Sequence, residues 1–124
     1  MYPHIDQASY VAKYQGFLTS LRGWYPHAEI FCLAPFVDQQ SGLATNAAPW
    51  DEARAYIPAA VAAQGDAHIH AIVPLTGTAA TGYSGQWLDH PGDYVQGDEI
   101  HPNTSGHTKI AMHLHGIIAP ILGW

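Results

Sequence analysis

A chain of 124 residues suits one domain spanning 1–124, and such a domain can bury a sizeable core. With 48% hydrophobic and 11% charged residues, it is too apolar for a disordered segment and poor in charge for a fully exposed surface, which fits coverage by a partner. The net charge is −6, and the four cations, Lys13, Arg22, Arg54 and Lys109, form no basic stripe, so nucleic acid is excluded as the expected partner.

The N-terminus, "MYPHIDQASY", is polar and lacks the apolar core of a signal peptide. No apolar stretch reaches the roughly 18 residues of a spanning helix, so no membrane span is expected. From Asp6 to Trp24, Tyr10, Val11, Tyr14, Phe17, Leu18 and Leu21 recur at helical spacing and predict an amphipathic helix. "YPHAE" predicts a turn, because Pro26 bars further helix. "IFCLAPF" is a near-continuous apolar run, the pattern of a strand covered on both faces. The lone Cys32 inside it can make no internal disulfide and reads as an inert buried thiol. Cysteine usage leaves the compartment open.

"DQQSGLATNAAP" is a loop of turn formers. "WDEARAYIPAAVAAQG", from Trp50, has acids in its first turn and a terminal glycine, so it predicts a helix with Pro58 as its weak point. "AHIHAIVPL" predicts a second strand. A glycine-rich segment over 76–96 follows, long enough to carry function. The last helix is expected from about Ser105 to Leu122, with Thr104 or Asn103 as N-cap. Strand, helix, strand at this spacing implies a right-handed parallel crossover. The fold class is therefore α/β with a short parallel sheet and helices on both faces.

The most informative stretch is "GDEIHPNTSGHTKIA", Gly97 to Ala111. It places Asp98 three residues before His101, just ahead of the last helix. A histidine acting as general base needs one ring nitrogen held by an acceptor, which fixes the tautomer, while the other faces the nucleophile. A D-x-x-H turn after the second strand can supply both, near the strand ends where ligands of parallel α/β folds gather. A bland alternative fits the same residues: Asp98 accepts backbone N–H groups in a capped turn and His101 packs under the helix.

This block resembles the final block of the SGNH (GDSL-like) hydrolases, lipases and esterases of acyl or carbohydrate esters. "YVQGDEIHPN" extends the resemblance upstream, and "FLTSLRGWYPHAEIFCLAPF" is similar to the family's helix, turn and strand leading into its penultimate strand. The resemblance covers nearly the whole chain but only the C-terminal half of the family's domain. It implies a partial three-layer α/β/α, flavodoxin-like fold. It also implies Asp98 as the triad acid and His101 as the triad base, with an ester or acylated carbohydrate as substrate and no cofactor.

The family's Gly-Asp-Ser nucleophile block is absent from this sequence, as are the glycine and Gly-x-Asn-Asp blocks that donate to the oxyanion. Ser84, in "TGYSGQW", only partly matches a G-x-S-x-G elbow, because Gln86 stands where the second glycine belongs. Ser105 reads as a helix-start residue, and Ser9, Ser20 and Ser41 have no supporting context. The expectation is an ester hydrolase segment whose nucleophile comes from a missing segment or a partner chain. The alternative is a non-catalytic, self-associating or ligand-binding remnant of the same fold. Because the family fold places a further strand beside "EIFCLAPF", a homodimer or association with the missing N-terminal half is expected.

Nine histidines raise the question of a metal. His68 and His70 alternate and so share one strand face, an H-x-H arrangement that can seat zinc, although polar residues at a strand start are ordinary. His113 and His115 lie two apart on a helix and do not face each other. His107 and His113 are expected at the surface or core edge, and no metal site is assigned. Trp24, Trp50, Trp87 and Trp124 read as core anchors, with Trp87 also a candidate sugar-stacking surface.

Overall fold

The computed structural model describes residues 6–34, 48–73, 92–93 and 101–124. Over these it is a small α/β protein of three helices and a two-stranded parallel sheet, in the order α1 (Gln7–Trp24), β1 (Ile30–Leu33), α2 (Ala48–Gln64), β2 (Ile69–Ile72) and α3 (Thr104–Leu122). The chain divides into two compact units: Met1–Pro35 with Thr45–Val73, and Phe36–Ala44 with Pro74–Trp124.

In the first unit, α1 begins at Asp6, whose carboxylate accepts the Ser9 N–H at 2.7 Å, satisfying one of the helix's orphan donors. Its C-terminus closes where the Tyr25 N–H bonds to the Leu21 carbonyl at 2.8 Å. The β1 and β2 strands pair in parallel, Ile30 opposite Ile69 through Leu33 opposite Ile72, with α2 as the crossover between them. The ladder extends past β1, since the Ala34 N–H donates to the Ile72 carbonyl at 2.9 Å. Alternation then puts Ile30, Cys32 and Ala34 on one face with Ile69 and Val73. That face meets Leu18 and Leu21 of α1 and Ile57 and Val61 of α2 in the core. Tyr10 stacks on Tyr14 at 5.9 Å and tilts against Tyr56 at 5.7 Å, joining α1 to α2.

The α2 helix runs unbroken through Pro58. Proline removes one backbone donor there, but buried Tyr56, Ile57 and Ala60 on either side hold the helix through the gap. It stops at Gly65, whose φ of 65° lies in the left-handed region that glycine enters without a Cβ penalty. Asp66 then makes the turn into β2: its side chain accepts the His68 N–H at 2.9 Å and its carbonyl the Ile69 N–H at 3.1 Å.

The Cys32 thiol is buried, and burial pushes its pKa up, partly offset by its hydrogen bond with Tyr14. That is the environment of an inert structural cysteine. Burial likewise raises the Tyr14 phenol, and the contact with Cys32 adds to it.

The second unit carries α3. Asn103 is its N-cap, accepting the Gly106 N–H at 3.1 Å, and Gly123, at a φ of 73°, closes its C-terminus. Among the described residues, no helix is long and apolar enough to cross a membrane.

Candidate functional site

The candidate site lies at the entry to α3. His101 is exposed and stands two residues before the N-cap Asn103. Pro102 follows it. A residue before proline is confined to extended backbone, and proline fixes its own φ, so little freedom separates His101 from Asn103. Asp98, Ser84 and Trp87 lie outside the described residues, so the structure gives no distance from His101 to any of them.

What the structure does show is how this turn is held. The Asn103 N–H donates to the Asp93 carbonyl at 2.9 Å, and Asn103 Nδ2 donates to the Gly92 carbonyl at 2.8 Å. The Asp93 carboxylate is buried. Its Oδ1 accepts the Ser105 hydroxyl at 2.6 Å, and its Oδ2 accepts Lys109 Nζ. A buried carboxylate is tolerated only when charge and hydrogen bonds compensate its lost hydration. Here the ammonium and the hydroxyl do so from consecutive turns of α3. Ser105 and Lys109 are four residues apart and therefore share one helix face.

The sequence reading passes over Asp93 and takes Ser105 only as a helix-start residue. The missed signal is chemical. Lys109 is the one lysine or arginine after Arg54, and it sits half-buried on a helix with no acidic residue of its own, so it needs an acid from elsewhere. Asp93, in the turn with Gly92, supplies it.

A second polar cluster lies in the first unit, at the start of the strands. Glu29 Oε1 lies 2.6 Å from His68 Nδ1, and Glu29 Oε2 lies 2.6 Å from His70 Nε2. The shared face expected for His68 and His70 is therefore used, and the partner is a carboxylate. The hydrogen bond with His70 and then that with His68 hold the Glu29 carboxyl below its ordinary pKa. Phe31 stacks on the His70 ring at 5.1 Å. Among the described residues, no three His, Cys, Asp or Glu side chains are placed to hold a metal ion. In the second unit, burial lowers the pKa of the His113 imidazole on α3.

Compared with known proteins, the chain matches no family model, and neither a curated protein nor a solved structure matches it significantly.

Proposed function

We propose that this chain carries the acid/base part of an SGNH-type ester hydrolase site. His101 is the base, Asp98 the carboxylate that orients it, and the serine comes from a segment or chain outside this sequence. His101 takes the serine hydroxyl proton as the oxygen attacks the ester carbonyl. It then returns that proton to the departing alkoxide, leaving an acyl-serine for water to hydrolyse. Trp87 offers a flat surface for the sugar ring of an acylated carbohydrate, and Ser84 a weaker polar contact. Association with a second copy, or with the chain that bears the serine, completes the site.

The observation that carries this reading is the exposed His101 at the entry to a capped helix, three residues after Asp98. The resemblance of "GDEIHPNTSGHTKIA" to the family's final block supports it. Proton NMR tests it. A carboxylate-held imidazole shows a far-downfield N–H resonance, and the expected result is one such signal that both Asp98→Asn and His101→Ala abolish. Its absence from the folded wild-type chain overturns the pairing.

A further inference from the structure

Asp93 and Asn103 form a tie that does more than start a helix. The chain leaves the tie at Asp93 and returns to it at Asn103. Asp98 and His101 are both carried between these two points. Two hydrogen bonds close the tie, Asn103 N–H to the Asp93 carbonyl and Asn103 Nδ2 to the Gly92 carbonyl, while the Asn103 side-chain oxygen accepts the Gly106 N–H as the helix cap. The Asp93 carboxylate then fastens one end of the loop to the body of α3 through Ser105 and Lys109.

Helix capping alone requires only the last of the three bonds made by Asn103. The bonds to Gly92 and Asp93 go beyond the cap, although the first also orients the amide whose oxygen accepts from Gly106. They fix where the loop begins relative to where it ends. With Pro102 restricting the backbone between His101 and Asn103, the backbone that carries the imidazole leads directly into the capped start of α3. Active-site groups need this second set of contacts, because a side chain misplaced by an ångström loses most of its effect.

We infer that Asp93 is a positioning residue for His101, acting through its anchorage on Ser105 and Lys109 and through the Asn103 side-chain link to Gly92. The role rests on the reading of His101 as a base, but its test is separable from that reading. The probe is the His101 imidazole itself, followed by proton–carbon NMR of the whole chain and assigned by its disappearance in His101→Ala. Two variants are compared with wild type. Asp93→Ala removes the anchorage. Asn103→Asp keeps an oxygen to cap Gly106 but has no N–H to give the Gly92 carbonyl, so it separates tying from capping.

The expected result is a displaced His101 ring resonance in both variants, with loss of any downfield N–H signal, while circular dichroism shows unchanged helix content in Asn103→Asp. Unchanged His101 resonances in Asn103→Asp and in a folded Asp93→Ala overturn the inference. If Asp93→Ala does not fold, Asn103→Asp decides alone. If the wild type shows no downfield signal, the acid/base reading falls. The ring resonances still decide whether the tie sets the position of His101.

Discussion

Glu29 and His70 face each other across the start of the parallel sheet, 2.6 Å from carboxylate oxygen to ring nitrogen, and the second oxygen of the same carboxylate holds His68. An ionised carboxylate can only accept, so each ring nitrogen must donate. One acid thus ties the approach to β1 to two positions around the start of β2. Since the Glu29 pKa is depressed in the folded chain, the bond contributes stability above the ordinary glutamate range of about 4.3. That contribution is lost as pH falls through the lower folded value. Glu29→Gln is therefore expected to lower the Tm at pH 7, with the gap closing as the wild type is acidified below that range. Thermal unfolding followed by circular dichroism at a series of pH values checks it. A gap independent of pH means the carboxylate charge contributes nothing.

Arg22 closes the same end of the unit from the other side. Its Nε donates to Asp66 at 2.7 Å, and its guanidinium also reaches the carbonyls of Tyr25 at 3.0 Å and Ala28 at 2.8 Å. The Asp66 pKa is lowered first by the His68 backbone N–H and then by Arg22. Both side chains are part-buried, at 22% and 23% exposure. Arg22→Met takes the cation from Asp66, which keeps the His68 N–H, and removes the donor to the Tyr25 and Ala28 carbonyls, so it is expected to lower stability. Arg22→Lys recovers only part of it, because an ammonium cannot span the fork of acceptors. Urea unfolding of the three proteins measures both differences.

The helices were legible because each carries its own local signal. Asp6 marked the start of α1, and the Tyr10, Tyr14, Leu18, Leu21 spacing marked its buried side. Asn103 was one of two N-caps read for α3. The parallel pairing followed from element order alone. What stayed hidden depends on contacts distant in sequence. Glu29 meets His70 across 41 residues, and Lys109 meets Asp93 across 16, so neither pair has a local pattern. Pro58 stands inside the expected helix, where its local penalty is outweighed by tertiary packing that sequence periodicity cannot weigh. Near the site, the D-x-x-H spacing is readable, while the contacts between Asp93 and Asn103 beside it are not.

Leu18 is the largest fully buried side chain among the described residues, with no exposed surface, and it joins α1 to the sheet through Cys32, Ala34 and Ile69. Truncation removes apolar area and opens a cavity between a helix and a two-stranded sheet that has little else to fill it. Leu18→Ala is expected to cost about 2–5 kcal/mol. Phe17, one position away and half exposed, is the control, and Phe17→Ala is expected to cost under about 1 kcal/mol. Equal losses in the two variants, measured by denaturant unfolding, would show that the core does not centre on Leu18.

The chemistry makes the last prediction. An ester hydrolase needs a nucleophile, a base that takes its proton, and donors aimed at the developing oxyanion, and the donors often contribute most. On the proposed reading His101 is the base and Asp98 its acid, and the sequence has neither a Gly-Asp-Ser block nor the oxyanion donors of the hydrolases it resembles. The purified chain alone is therefore expected to turn over a small aryl ester no faster than free imidazole does at the same concentration. Removing one member of a triad typically leaves a residual rate of only about 10³–10⁴-fold over water, and that residue comes from the oxyanion hole and binding, which the chain alone lacks. Steady-state assays of wild type, His101→Ala and Ser84→Ala decide the matter. Turnover well above imidazole that Ser84→Ala abolishes would place the nucleophile inside this chain. Adding a chain that carries the serine block should raise the rate only while His101 is intact. A rise of equal size with His101→Ala would remove His101 from the reaction.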